Sequence, residues 1–593
     1  MTGLERWRSA LVRRPVLWLA LLAILLRVLM LFGRGSYVAF DEGWYLLLGR
    51  NLWSGAGYTL SGLDHVTLSP LFPILAGGLS VLTGDAIWAG RLVAAICAGL
   101  VVVPAWYLFR RLADERIATH AAAFVAVMPA LCAFTVPFWI RWELWVGAEP
   151  VLHLFLYSAL ALALRAFDRP TASAAIACGA AFALAYLARP EAIVVFALAG
   201  TAFALASARS RNLVRPRLIA AALCVVAFAV VAAPYWLYLH EQLDRWTVTG
   251  RGVELAAAAG GSAPSGAATT IESMLWEDEE GYVRRLYALD RSGTALASDY
   301  WGVRQAAPDS TPTQMEAAGA RTDSTDPSEQ VRPAAAPASA SEGDPGSRAG
   351  AGVGRYIRSL LTILPWWAWL FAIAGAALPR GRRRRAELLV AAPLIGTSVL
   401  IAVIVATDPR TQLFLAPWLA FYMARGVVAA GRWIQSRVGP ELREGVAVGL
   451  VSVTLAFLMV GVSARRLYLS VAVGSPHHIV GAENAAVGAA LRSLAPAGAP
   501  VMSWHPALAL YAGRDWRVLP FEPLSRIVRF ARTQSDPVLV LSVYYPPPIL
   551  QGDEAPHYLI VPVPRSVPDA DRYRIRIDAR LPAYATGTVI PSP

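Results

Sequence analysis

Two adjacent carboxylates, Asp41 and Glu42, stand in Phe40-Asp41-Glu42-Gly43-Trp44-Tyr45, just past a first long apolar run that ends near Phe32. Acids at a membrane face are costly unless they are solvated, paired or used. Used, they are a general base: an acceptor hydroxyl or amine needs one within hydrogen-bond reach. Solvated, they are a helix cap outside the bilayer. More ionisable residues stand at the ends of other apolar runs: Arg91, Arg141, Glu143, Glu149, Arg189, Glu191, Asp408 and Arg410. Charges of both signs, on several helices at one membrane level, point to a polar cavity more than to isolated ion pairs. A departing phosphate needs fixed positive charge, because negative charge develops on it. Arg189 and Arg410 can supply that charge, and a phosphate on a lipid would reach them from the membrane. In the same outer segment Arg50 is a further substrate-binding candidate, and His65 with Asp64 could line an acceptor groove. For His65 and its neighbour Asp64 the alternative is a polar loop turn.

The elements that must hold these groups are membrane helices. Of the 593 residues 56% are hydrophobic and 16% charged, and the mean hydropathy is +0.47. A soluble chain carries about 25% charge. The net charge is +12, and the basic residues are all Arg, with no lysine. Any anion held by a side-chain cation is therefore held by guanidinium, which favours bidentate contacts. The arginines are spread over short loops between apolar runs, a pattern of membrane orientation and not of nucleic-acid binding. Cys97, Cys132, Cys178 and Cys224 all lie in apolar runs without zinc spacing, so no structural disulfide or zinc site is expected. The first run lacks a small-residue cleavage site and reads as a retained helix.

A spanning helix needs about 20 mostly apolar residues. Eleven runs qualify, at roughly 15–33, 86–109, 117–136, 149–165, 171–187, 192–208, 217–238, 357–378, 387–406, 411–429 and 445–463. The pair flanking Arg189 could also be one re-entrant unit. Every second connection is basic: Arg6 to Arg14; Arg110, Arg111 and Arg116; Arg165 and Arg169; Arg209 to Arg217; Arg380 to Arg385; and Arg432 with Arg437. Those connections should face the cytoplasm, with the alternate ones and the C-terminal segment outside. The expectation is a multi-pass protein of the cell membrane with a cytoplasmic N-terminus.

Residues 1–238 form an N-terminal membrane module, and its first outer loop holds the acid pair. Trp44, Tyr45, Leu48 and Leu52 recur there at helical spacing, as in an interfacial helix lying in the headgroup plane. Residues 239–356 are a long outer loop, mostly Ala, Gly, Ser and Pro, that reads as linker or disorder on both sides of a stretch at 271–300 able to hold a short helix and a hairpin. Residues 357–464 return to membrane helices. Residues 465–593 read as a small extracytoplasmic α/β domain, with a helix at 483–494 and strands at 501–504, 518–519, 538–544 and 558–563. Its helix is not preceded by a Gly-rich phosphate loop.

Other residues have plainer explanations. Arg27, deep in the first run, is a charge paired with another helix or snorkelling outward. His120 and His153 are core residues, and His477, His478 and His505 are too sparse for a metal cluster. Trp366, Trp367 and Trp369 are an aromatic belt before they are a sugar platform.

In order along the chain come Asp41-Glu42 in a long outer loop, Ala89-Gly90-Arg91-Leu92-Val93, Ala148-Glu149-Pro150, Leu187-Ala188-Arg189-Pro190-Glu191, and Asp408-Pro409-Arg410 before an apolar helix containing Pro417. This set resembles the GT-C membrane glycosyltransferases, in the branch of protein O-mannosyltransferases and lipid A aminoarabinose transferases. The resemblance runs over about 15 to 465. It implies a GT-C-like fold, a polyprenyl-phosphate-linked sugar donor, transfer on the extracytoplasmic side and inversion at the anomeric carbon. It makes Asp41 the base with Glu42 in support, and sets Glu149, Arg189 and Arg410 around the donor phosphate and sugar. The acceptor could be lipid, glycan or protein. The sequence names no certain cofactor, and the acid pair could ligate a divalent cation. Two departures stand out: a Lys that some relatives place near the phosphate is missing, and the 239–356 segment is long. A transporter or flippase of a lipid-linked glycan is the alternative, but its expected internal repeats are not found. A third reading is an assembly protein whose charges only lock helices together.

Overall fold

The computed structural model describes residues 15–32, 38, 41–128, 147–208, 213–250, 275–277, 283–285, 356–357, 360–361, 363–379, 383–404, 409–439 and 443–473. Beyond them it describes 484–485, 487–489, 491–492, 498–503, 506–520, 530–531, 533, 538–542, 558–562 and 574–578. Arg141, Glu143 and Asp408 lie outside the described residues. Each apolar run carries helix. In order these are α1 (Pro15–Leu31), α2 (Asp41–Trp53), α3 (Leu71–Thr83), α4 (Ala86–Leu100), α5 (Val102–Leu112), α6 (Glu115–Val127), α7 (Glu149–Asp168), α8 (Ala172–Ala188), α9 (Ala192–Ala208) and α10 (Val214–Leu243). After the long connection follow α11 (Trp366–Ala377), α12 (Arg384–Ile404), a 3-10 turn (Pro409–Leu415), α13 (Ala416–Val438) and α14 (Glu444–Val473). Among the described residues five helices are long and apolar enough to cross a membrane: Ala86–Leu112, Glu149–Asp168, Val214–Leu243, Gln412–Val438 and Glu444–Val462. Shorter apolar helices include Pro15–Leu29, Ala172–Ala188, Ala192–Ala208 and Trp366–Ala377.

The connections rich in arginine meet at one end of the bundle. Arg111 pairs with Asp168 at 2.8 Å, and Glu444 takes both Arg116 at 2.6 Å and Arg432 at 2.9 Å. Arg383 donates to the carbonyls of Arg110, at 3.0 Å, and Ala113. Arg217 donates to the Phe167 carbonyl at 3.1 Å with its guanidinium 3.8 Å above the Phe167 ring. Arg27 is buried as a partner of another helix: its Nη1 donates to the Ala23 carbonyl at 2.9 Å and to the Ala126 carbonyl at 3.0 Å. Ala126 is one residue from the end of α6, so the guanidinium satisfies a carbonyl that the helix leaves unpaired and faces the negative end of its dipole. A second buried cation does the same for α11. Arg425 of α13 donates to the carbonyls of Leu378 and Pro379 at 3.0 and 3.2 Å, and pairs with Glu387 at 3.3 Å.

The outer loop differs from its sequence expectation in two ways. It contains a second helix, α3, entered through Pro70 and closed by Gly84. And α2 does not lie open in the headgroup plane: Leu46, Leu47 and Leu48 are all buried, so the helix is apolar around most of its circumference and is covered on both sides. On one side it crosses α3 backbone to backbone. A methyl group on Gly49 would lie 2.5 Å from the Pro73 carbonyl, and one on Gly77 would strike the Gly49 carbonyl. Between α2 and α3 a short hairpin, β1 (Thr59–Leu60) and β2 (Leu63–Asp64), turns through Ser61 and Gly62, both with positive φ as a two-residue turn demands.

The C-terminal segment holds β5 (Val501–Ser503), α15 (Pro506–Ala512), β6 (Trp516–Val518), β7 (Val538–Ser542), β8 (Tyr558–Pro562) and β9 (Arg574–Asp578), in sheet order β6-β5-β7-β9-β8. β5 runs parallel to β6 and β7, and β9 is antiparallel to β7 and β8. Strand β9 was not foreseen. Its alternating Arg-Ile-Arg-Ile-Asp reads as a charged tail until the period of two is noticed. In the long connection, Leu275–Glu277 and Val283–Arg285 pair as a hairpin (β3 and β4).

Candidate active site

The site begins with Pro190. A residue before proline is pushed out of the α region. α8 therefore stops at Ala188, and Arg189 takes extended backbone with φ −151°. That swing carries its guanidinium across to the first residue of α7. Arg189 bonds Glu149 through Nη1, and Glu191 through Nη2 at 2.8 Å and Nε at 3.3 Å. Arg189 and Glu149 are both buried. Burial opposes the charge on Arg189, but the Glu191 and Glu149 carboxylates outweigh it and raise its pKa well above the usual arginine value. With two acids on one cation, the trio carries a net negative charge when ionised. Only one oxygen of Glu149 is used. Its Oε2 is buried and has no hydrogen-bond partner among the described residues, which costs about 1–3 kcal/mol for a buried polar group left unmade.

α2 reaches this trio. Tyr45, one turn after Asp41, is buried edge-on against Phe72 with ring centroids 5.5 Å apart, and its phenol lies within electrostatic reach of Arg189. Asp41 is the first residue of α2, and Glu42 beside it is buried in the first turn, where the helix dipole favours a carboxylate. From the other side comes the 3-10 turn whose second residue is Arg410. Tyr157, two turns along α7 from Glu149, donates to the Phe414 carbonyl at 2.9 Å and so docks that turn on α7. Gln412 in the same turn is buried and bonded to Ser398, which Tyr356 also reaches at 2.9 Å. Elements far apart in sequence thus converge on the first two turns of α7.

Two of the expected site residues, Arg50 and His65, have partners of their own elsewhere. Arg50 turns away from the trio: it donates to the Arg514 carbonyl at 3.0 Å and pairs with Asp515 at 3.1 Å. His65 is fully buried, its Nε2 accepting the Leu68 N–H at 2.9 Å, and so locks a turn instead of lining an open groove. Arg91 lies one turn into α4 with its guanidinium 6.0 Å from the Trp88 ring centroid. His153 is buried one turn after Glu149.

Sequence reasoning missed the tyrosines that fix the outer loop. Tyr58 donates to the Leu68 carbonyl at 2.9 Å, Tyr238 to the His65 carbonyl at 2.8 Å and Tyr235 to the Val66 carbonyl at 3.3 Å. Burial pushes the Tyr58 phenol well above its ordinary pKa, so it is a neutral donor. Tyr186 accepts from Trp236 Nε1 at 2.9 Å and donates to the Val248 carbonyl. The signal was present as Tyr235-Trp236-Leu237-Tyr238 at the end of α10, but such a run also describes a plain interfacial belt. Among the described residues no three His, Cys, Asp or Glu side chains stand together as a metal-binding group.

Residues 67–238, from the outer loop through α10, match the sequence profile of the dolichyl-phosphate-mannose-protein mannosyltransferase family. No curated protein matches the chain by sequence. The fold is similar to that of ArnT from Cupriavidus metallidurans bound to undecaprenyl phosphate, with TM-score 0.57 and 14% identity over 97% of this chain and 99% of that one. The same protein in its apo state gives TM-score 0.56 and 13% identity over 98% and 100%. Residues 67–238 are thus similar in sequence to that mannosyltransferase family, and the chain as a whole is similar in fold to ArnT.

Proposed function

We propose that this chain transfers a sugar from a polyprenyl-phosphate-linked donor to an acceptor at the extracytoplasmic face of the cell membrane. The acceptor oxygen or nitrogen attacks the anomeric carbon on the face opposite the phosphate. The new bond forms as the bond from the anomeric carbon to the phosphate oxygen breaks, and the configuration inverts. Asp41 takes the acceptor's proton as general base, with Glu42 in support. The electron pair of the breaking bond leaves with the polyprenyl phosphate, where positive charge compensates it.

The observation that carries this reading is the Glu149–Arg189–Glu191 trio. Its Glu149 and Arg189 are buried at the end of the bundle where α2 begins, and one carboxylate oxygen of Glu149 has no partner among the described residues. A sugar hydroxyl is the natural donor to that oxygen. Arg189 already holds two acids, so its first task is to aim Glu149; we assign the phosphate to Arg410 and Arg91. Support comes from undecaprenyl phosphate bound to the ArnT of similar fold. The eleven-span topology with a cytoplasmic N-terminus and an outer C-terminal domain belongs to the same proposal, and the gathering of the arginine-rich connections at one end favours it.

Deleting the gene should remove one sugar from an envelope glycan and accumulate the lipid-linked form of that sugar. Complementation with Asp41→Asn should restore the folded, inserted protein but not the glycan. A full glycan profile in the deletion strain would sink the transferase reading, and full complementation by Asp41→Asn would sink the assignment of the base.

A further inference from the structure

The outer side of α2 is covered by the C-terminal domain, and the contacts run from before the helix to beyond it. Ahead of the helix, the Val38 N–H donates to Tyr511 Oη at 2.8 Å. At its first turn, Gly43 lies under the start of α15: a methyl group there would sit 2.7 Å from the Ala507 nitrogen and 3.0 Å from the Pro506 ring. Near its end, Arg50 grips the turn before β6 through the Arg514 carbonyl and the Asp515 carboxylate. Past it, the Val518 N–H donates to Ser61 Oγ at 3.1 Å. Tyr511 is itself fixed from behind, since Arg492 Nε donates to its carbonyl at 2.9 Å. The short βαβ unit β5–α15–β6 therefore clamps the helix that opens with Asp41 and Glu42, and α3 backs that helix from the opposite side.

We infer that the C-terminal domain is part of the catalytic apparatus, with Tyr511 and Arg50 acting as positioning residues that set the place and angle of the acid pair on α2. This rests on the transferase reading above. Neither residue needs to touch donor or acceptor. What they hold is the segment from Val38 to Arg50, and its geometry decides whether a base within hydrogen-bond reach can take the acceptor's proton. A shift of that helix would slow the chemical step far more than it weakens donor binding at the Glu149–Arg189–Glu191 trio, whose hydrogen bonds are all made among α7 and the α8–α9 turn. The charged pair is the more useful handle, because a contact between two protein groups can be reversed in sign and a contact to substrate cannot.

The test uses the full-length protein in native-like lipid, with its polyprenyl-phosphate sugar purified from the deletion strain as donor. Tyr511→Phe removes one hydrogen bond and should lower kcat about three- to tenfold, with KM for the donor unchanged. Arg50→Glu places two acids side by side and should lower kcat further. Arg50→Glu/Asp515→Arg should recover most of that loss. Hydrogen exchange of the peptide 41–53 should be faster in both single variants and return towards wild type in the double variant. If the double variant stays as slow as Arg50→Glu, or if the loss falls on KM for the donor, Arg50 belongs to the substrate site and the positioning role is overturned. Unchanged kcat and unchanged exchange in Tyr511→Phe would overturn it for that residue. A wild-type protein that transfers no sugar would instead sink the underlying transferase reading, a result the variants cannot mimic.

Discussion

Arg189→Met offers the sharpest test of the trio. Methionine keeps much of the side-chain length and removes the charge together with every hydrogen bond to Glu149 and Glu191. The Glu149 side chain is 4% exposed and that of Glu191 21%. Breaking a buried pair by removing one partner costs about 3–5 kcal/mol, because the remaining charge has neither water nor counter-ion. The surface pair Arg111–Asp168 supplies the internal comparison. Its side chains are 34% and 56% exposed, and Arg111→Met should cost about 0–1 kcal/mol. Reversible unfolding of the detergent-solubilised protein in mixed micelles measures both. Arg189→Met should be destabilised by several kcal/mol, and Arg189→Met/Glu149→Gln should regain more than half of the loss, since neutralising Glu149 removes the stranded charge. Donor affinity separates structure from recognition. If Arg189 only organises Glu149, the double variant loses affinity through Glu149 no more than Glu149→Gln alone does. If Arg189 holds the phosphate, the double variant is weaker than Glu149→Gln. The reasoning fails outright if Arg189→Met is as stable as Arg111→Met, or if Glu149→Gln gives no relief.

Gly77→Val should force α3 off α2, where a methyl group already strikes the Gly49 carbonyl; overpacking of this kind costs about 1–3 kcal/mol, and the yield of folded, monodisperse protein reads it. Arg425→Leu should cost about 3–5 kcal/mol by stranding Glu387 and uncapping α11, whereas Arg425→Leu/Glu387→Leu should approach wild-type stability; a double variant no better than the single would contradict a buried ion pair. Tyr157→Phe removes the bond to the Phe414 carbonyl and should cost about 0.5–1.5 kcal/mol. Because it loosens the turn that carries Arg410, its KM for the donor should rise; an unchanged KM would separate that turn from donor binding.

Sequence alone located most of the apolar helices because membrane helices announce themselves by run length, and it named Glu149, Arg189 and Glu191 as candidates without foreseeing that they pair with one another. It missed the fate of Arg50 for an equally physical reason. Its partner Asp515 lies 465 residues away, and nothing local distinguishes a guanidinium meant for phosphate from one meant for a carboxylate. His65 illustrates the same limit, because its role depends on the Leu68 N–H and on tyrosines supplied by α10. The buried Glu387–Arg425 pair was missed because Arg425 lies inside the 411–429 apolar run, away from the basic connections that the arginine census read. The burial of α2 was invisible because a helix apolar on most sides differs little in sequence from one lying at an interface until the covering domain is in view.

The guanidinium of Arg27 has a consequence for biogenesis. An arginine well inside a membrane helix costs about 2.5–3.5 kcal/mol to insert without a partner. The carbonyl of Ala126 that receives it is made 99 residues later, which at ribosomal speed is a delay of about 5–20 s. During that interval the guanidinium has only the Ala23 carbonyl of its own helix, and α1 is expected to stay near the insertion machinery until α6 has been synthesised. A ribosome-stalled chain ending before residue 115 should still crosslink from α1 to that machinery, and one extending well past residue 127 should have released it. The first helix to be made is then among the later ones to settle.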